Sequence, residues 1–232
     1  MTTTMPGPVT APASAGEPAR GSHELMDFGP LRIAFDDRVL RPRPWTAAQS
    51  EWAAELLEDA PPGPVLELCA GAGHIGLLAV LQTPRRLVCV DVNPVACAYA
   101  LENAAAAGLG DRVEVREGRM EDALRDHERF PLVIADPPWV RRAEVDRYPG
   151  DPRLAIDGGD DGLDLAWTCV EIARDHLRPG GSLVLQVGNV EQVDALRERL
   201  RASPGDTGPA GDLELTEVRW CQRGVLVRLV RP

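Results

Sequence analysis

Two stretches of this sequence combine residue types that could do chemistry. The first is Glu67-Leu68-Cys69-Ala70-Gly71-Ala72-Gly73-His74-Ile75-Gly76. It carries the spacing G-x-G-x-x-G between one apolar run, Val65 to Leu68, and the next. Gly71 permits a tight turn, and Gly73 lets a ligand come close to the backbone. Asp91 stands twenty residues beyond Gly71, at the end of a second apolar run. A carboxylate there can accept hydrogen bonds from ribose hydroxyls, so the pattern points to an adenosine-containing cofactor. NAD and S-adenosyl-L-methionine (SAM) both fit a glycine loop followed by an acid. A pyrophosphate is best met by free helix N–H groups with no anion nearby. Glu67 lies on the strand that enters the turn. Its carboxylate suits the cationic ammonium end of methionine better than a phosphate, which favours SAM.

The second stretch is Ile134-Ala135-Asp136-Pro137-Pro138-Trp139. Two prolines remove two backbone donors and stiffen the chain. Carbonyls, a carboxylate and an aromatic face remain. Such a set can hold the hydrogens of a planar N–H group while Trp139 stacks on it, aiming the nitrogen lone pair at an electrophilic methyl. Asp136, Pro137, Pro138 and Trp139 are therefore the candidate catalytic residues.

These residues need a scaffold that brings strand ends together. Buried strands are expected at Val65–Cys69, Arg86–Asp91, Val113–Arg116, Leu132–Asp136 and Ser182–Val187. Helices are expected at His74–Leu81, Pro94–Ala107, Leu163–Leu177 and Val190–Arg201. Leu213–Trp220 and Gly224–Val230 read as a closing hairpin. Alternation of this kind implies an α/β fold, a mostly parallel sheet covered by helices on both faces. Ahead of it, Phe28–Leu40 reads as short strands, and Thr46 is expected to cap a helix running to Leu57. The chain thus divides into a disordered tail (1–22), an N-terminal strand and helix extension (23–60) and the main domain (61–232). The long stretch Val140–Gly162 has no helical period and reads as a lid or binding loop.

Composition narrows the chemistry. All 25 basic residues are arginines, against 36 acids, for a net charge of −11 over 232 residues. Without lysine there is no Schiff base, no P-loop lysine and no Tyr-x-x-x-Lys dehydrogenase site. The acidic balance weighs against binding bulk nucleic acid. Five cysteines without a C-x-x-C pair suggest reduced thiols and a cytoplasmic setting. The four histidines are scattered, and Asp160 and Asp161 read as capping residues, so no metal site is expected. No apolar run reaches the roughly 20 residues of a membrane span.

The glycine loop, Asp91-Val92-Asn93-Pro94 and Asp136-Pro137-Pro138-Trp139 resemble a class I SAM-dependent methyltransferase. Within that class the chain is similar to the HemK-type protein-glutamine methyltransferases. Pro42-Arg43-Pro44 resembles that family's Pro-Arg-Pro segment, and Asp136-Pro137-Pro138-Trp139 stands where the family has Asn-Pro-Pro-Tyr. Leu154 to Asp164 resembles its Gly-Gly-x-Asp-Gly-Leu stretch. The resemblance covers about residues 40 to 190. It implies a Rossmann-like seven-stranded sheet with an antiparallel C-terminal hairpin. SAM would lie across Glu67, Cys69, Gly71 and Gly73, with its ribose on Asp91 and its adenine near Asn93 and Met120. The methylated atom would be a planar amide or amino nitrogen, foremost that of a protein glutamine. Three departures stand out: Asp136 in place of Asn, Arg119 where an acid is common, and no counterpart of the release-factor enzymes' helical N-terminal domain before residue 40. They keep a small metabolite or peptide-like substrate in view, and a nucleic-acid amino group after it. A non-catalytic SAM binder and an NAD oxidoreductase are the other classes.

Overall fold

The computed structural model describes residues 23–202 and 213–232; the expected disordered tail lies outside them. A small antiparallel pair, β1 (Glu24–Phe28) and β2 (Leu31–Phe35), leads to α1 (Ala47–Asp59). Then come β3 (Val65–Leu68), α2 (His74–Val80), β4 (Leu87–Asp91), α3 (Pro94–Ala106), β5 (Val113–Glu117) and β6 (Phe130–Ala135). After a long connection follow α4 (Asp164–His176), β7 (Leu177–Val187), α5 (Val190–Ala202), β8 (Glu214–Trp220) and β9 (Val225–Val230).

The main sheet has seven strands in the order β5-β4-β3-β6-β7-β9-β8. Strands β5 to β7 run parallel, and β9 joins β7 and β8 antiparallel. This is the doubly wound, Rossmann-like sheet with a closing hairpin that the alternating pattern implies. Its buried strands carry apolar residues on both faces, because helices cover both. One core, built on Trp52, Leu77, Leu87 and Leu226, lies under α1, α2 and α3. The other, built on Leu66, Phe130, Val170 and Leu185, lies under α4 and α5. The chain order reverses between β3 and β6, and at such a switch point the strand ends open into a crevice.

Three local expectations differ from the structure. The short strands expected over Phe28–Leu40 form earlier, as β1 and β2, because they pair through the tight turn at Gly29–Pro30. Thr46 sits at the N-cap of α1 but makes no side-chain cap. Its backbone is already helical (φ −74°, ψ −7°), so its hydroxyl turns back and donates to Arg43 O at 2.8 Å. Strand β7 begins at Leu177 rather than Ser182, because Leu177 already pairs with Phe130 before an irregularity between Phe130 and Leu132. The Val140–Gly162 connection is folded on itself. It holds two 3-10 turns, Arg142–Arg147 and Arg153–Ala155, around a small cluster of Val140, Val145 and Ile156.

Candidate active site

The glycine loop leaves β3 through a left-handed Cys69 (φ 55°) and Gly71 (φ 54°). Gly73 N bonds Ala70 O at 2.8 Å and closes the turn. A Cβ added at Gly71 would meet nothing within 4 Å, so this side of the loop is open to a ligand. Gly76 has a different reason to be glycine: a Cβ there would collide with the Glu67 carboxylate.

Glu67 is buried, only 2% exposed. Its Oε1 accepts from Gly76 N at 3.0 Å and its Oε2 from the Cys89 thiol at 3.4 Å. Burial pushes its pKa up to about 7; those two donors pull it down, and the Asp91 and Asp136 charges add to the rise. Asp91 accepts from Gly71 N at 2.7 Å and from Asn93 N at 2.9 Å. Burial raises its pKa, and those backbone bonds oppose the rise. An ionised carboxylate offers about four lone-pair sites, so both oxygens keep acceptor capacity for ribose hydroxyls.

The adenine-side residues separate. Asn93 Oδ1 caps α3 through Val95 N at 2.9 Å, and its Nδ2 donates to Arg38 O at 3.1 Å, so its amide serves the fold. Met120 is buried against Cys169, 3.7 Å from its sulfur. Arg119 pairs with Glu121 at 2.6 Å on the surface. Sequence reasoning missed Val92, an apolar side chain 50% exposed beside Asp91, where an adenine face could cover it. Its position directly after the acid was the available signal.

Asp136 follows the last residue of β6, and Ala135 is the register partner of Leu68 on β3. Burial pushes its pKa up to about 7, and a bond to Trp139 pulls it back. The loop is held from both sides. Gln49 of α1 donates to Ala135 O at 2.9 Å and to Val184 O at 3.1 Å. Gln192 of α5 donates to Trp139 O and Asp161 O, both at 3.0 Å. Val140 N bonds Ile156 O at 3.0 Å, and Arg43 grips both Asp151 oxygens at 2.6 and 2.7 Å. The Pro-Arg-Pro segment and the long connection are thereby tied together. Gln49 and Gln192 were not readable as site residues, since single glutamines on helices carry no spacing signal.

His74 opens α2, with Nε2 3.4 Å from Thr46 Oγ1 and its ring edge-on to Phe28. Burial pulls its pKa down to about 4, so the ring is neutral at pH 7. Among the described residues there is no group of three or more His, Cys, Asp or Glu that could hold a metal ion.

The arrangement brings three carboxylates to the ends of three adjacent strands: Asp91 (β4), Glu67 (β3) and Asp136 (after β6). Such a crevice attracts a cation and repels a pyrophosphate. The residues present fit SAM on that ground. They also offer the open face at Gly71 and an acid with free lone pairs for a ribose.

Comparison with known proteins agrees with this chemistry. Residues 49–148 match the family described as Methyltransferase small domain. The chain is 30% identical to the release factor glutamine methyltransferase of Clostridium acetobutylicum, over 75% of this chain and 64% of that one. It is 33% identical to that of Moorella thermoacetica, over 82% and 68%. It is also 33% identical to the ribosomal protein uL3 glutamine methyltransferase of Bradyrhizobium diazoefficiens, over 70% and 55%. The chain therefore spans between about half and two thirds of the length of these relatives. Among solved structures, ribosomal protein L11 methylase from Lactobacillus delbrueckii shares the fold, with TM-score 0.60 at 13% identity over 84% of this chain and 83% of that one. The chain belongs to the glutamine methyltransferase family of SAM-dependent enzymes.

Proposed function

We propose that this chain transfers a methyl group from SAM to the side-chain amide nitrogen of a glutamine in a protein. The observation that carries the reading is the carboxylate-lined crevice, with Asp136, Pro137, Pro138 and Trp139 fastened at its mouth by Gln49 and Gln192. Bound SAM supplies an electrophilic methyl on a cationic sulfonium. Glu67, Cys69, Gly71 and Gly73 would hold the methionine part of the cofactor, and Asp91 would accept from its ribose hydroxyls. Val92 and Met120 would line the adenine side, and Asn93 shapes that wall by capping α3.

An amide nitrogen is a weak nucleophile because its lone pair is delocalised. Acceptors on its N–H groups align that lone pair with the methyl, and Trp139 covers the amide plane. The nitrogen gives up one proton as its bond to carbon forms. Asp136 accepts it, and a pKa near 7 makes it a better proton acceptor than an ordinary carboxylate. The relatives named for a release factor and for ribosomal protein uL3 support a protein acceptor, and such an acceptor fits a cytoplasmic setting. No helix among the described residues is long and apolar enough to cross a membrane.

The test is a labelled-methyl assay with purified bacterial release factor and uL3, followed by mass mapping of the product. Label on a glutamine amide, lost in Asp136→Ala while S-adenosylhomocysteine still binds, is the expected result. Label found only in small molecules from a cell extract would move the enzyme to metabolite tailoring. Turnover that survives Asp136→Ala would refute the assigned chemistry.

A further inference from the structure

One buried polar side chain beside this site is used by nothing described so far. Gln186, next to last in β7, is 2% exposed, and its Oε1 is buried without a hydrogen-bond partner. Leaving such an acceptor unpaired costs free energy, so it is poised to accept from a polar group at this end of the sheet.

Its position identifies that partner. Ala135 and Leu185 are register partners across β6 and β7, so the residues that follow them, Asp136 and Gln186, are neighbours at the open end of the sheet. Ala135 and Leu185 both point into the core under α4 and α5. The pleat therefore turns Gln186 to the opposite face, where its β9 partner Leu226 packs. Gln49 closes that face from below by its bonds to Ala135 O and Val184 O. The β8–β9 turn closes it at the side: a Cβ at Gly224 would lie 3.6 Å from Gln186 Cγ and Cδ. In the same turn Cys221 has its pKa raised by burial and by the charge of Asp136. The carboxamide and the carboxylate thus stand at neighbouring positions on one face at this end of the sheet.

We propose that Gln186 reads the acceptor amide: its Oε1 accepts one N–H of the substrate glutamine, its Nε2 donates to the substrate C=O, and Asp136 accepts the second N–H. This rests on the glutamine reading above and adds the group that distinguishes an amide from an amine. Two acceptors each about 2.9 Å from a trigonal nitrogen lie about 5 Å apart. Adjacent strands are about 4.8 Å apart, so neighbouring register positions span that distance. Asp136 alone has no donor for the carbonyl once ionised; Gln186 supplies it.

The experiment compares the unmodified chain with Gln186→Ala and Gln186→Glu, using labelled SAM with release factor and uL3, and calorimetry with S-adenosylhomocysteine. Gln186→Ala should lower kcat/KM for the protein on the order of 10- to 100-fold and leave the S-adenosylhomocysteine Kd within about twofold. Gln186→Glu keeps a donor only while protonated, so its activity should fall as pH rises, in a range where the unmodified chain does not fall. Turnover of Gln186→Ala within twofold of the unmodified chain, or an equal loss of cofactor affinity, overturns the assignment. Failure of the unmodified chain to methylate a glutamine in either protein overturns the glutamine reading and this one with it.

Discussion

Glu67→Gln should stabilise the free protein and weaken its hold on the cofactor. The side chain is 2% exposed, and burial takes its pKa from 4.5 to about 7. Because the folded-state pKa lies above the unfolded one, the folded chain binds the proton more tightly. The penalty is absent below pH 4.5, grows between 4.5 and about 7, and is fully present above that. The shift of about 2.5 units corresponds to roughly 3 kcal/mol above pH 7, at about 1.36 kcal/mol per unit. Glutamine keeps an oxygen for Gly76 N and carries no charge, so it escapes the penalty. For a chain of this size, about 3 kcal/mol corresponds to roughly 6–12 °C in Tm. Urea unfolding of both proteins at pH 5 and pH 8 is the assay. The variant should exceed the parent by about 1 kcal/mol or less at pH 5 and by roughly 3 kcal/mol at pH 8. A cation at the site reverses the sign for binding, so the parent's affinity for SAM should rise through pH 7, and the variant's, left with Asp91 and Asp136, should stay lower and rise less. Equal stability of variant and parent at pH 8 would refute the argument that Glu67 is held charged at a cost for a cationic ligand.

Two further outcomes follow from the same geometry. With Asp136 as proton acceptor at a pKa of about 7 in the free protein, kcat/KM should rise with pH through 7 and then level off; stopped-time methylation at low substrate from pH 5.5 to 9 checks this, and a flat profile would remove Asp136 from the proton's path. Asn103→Ala should cost about 2–4 kcal/mol in urea unfolding, since Asn103 joins Ala34 N (2.7 Å), Ala34 O (3.0 Å) and Ala72 O (2.9 Å) while 1% exposed. Because Ala72 lies in the glycine loop, the loss should carry a drop in S-adenosylhomocysteine affinity as well; stability loss with unchanged affinity would show that the loop holds itself.

What could be read from the sequence is what is encoded locally. Apolar runs of strand length alternating with helical ones imply the sheet, and G-x-G-x-x-G with Asp91 marks the crevice at its switch point. The Asp-Pro-Pro-Trp run is conspicuous because two prolines at a strand end have no role in a ladder. The degree of burial was not legible. Glu67 reads as a charge presented to a ligand, yet helix α2 covers it and takes one of its oxygens. The Val140–Gly162 segment hid for another reason: 3-10 turns of three and six residues leave no period to detect. Its fastening to Arg43 spans 108 residues of sequence. Gln186 could not be found at all without the register of β6 on β7.

The site's acids also explain one another. Glu67, Asp91 and Asp136 each have a raised pKa, burial is the first cause in every case, and the charges of Asp91 and Asp136 add to the rise at Glu67. A fold selected for stability alone would not collect three carboxylates at neighbouring strand ends, one buried and two half-buried. A fold that must hold a sulfonium and an ammonium gains by doing so, because each desolvated carboxylate loses its penalty when the cation arrives. On this argument the free protein is the less stable state, and saturation with SAM should raise its Tm more at pH 8 than at pH 5.5. The product, S-adenosylhomocysteine, has lost the sulfonium charge, so at pH 8 and at equal concentration it should raise Tm less than SAM does. The same loss of charge lowers the site's hold on the product once the methyl has left.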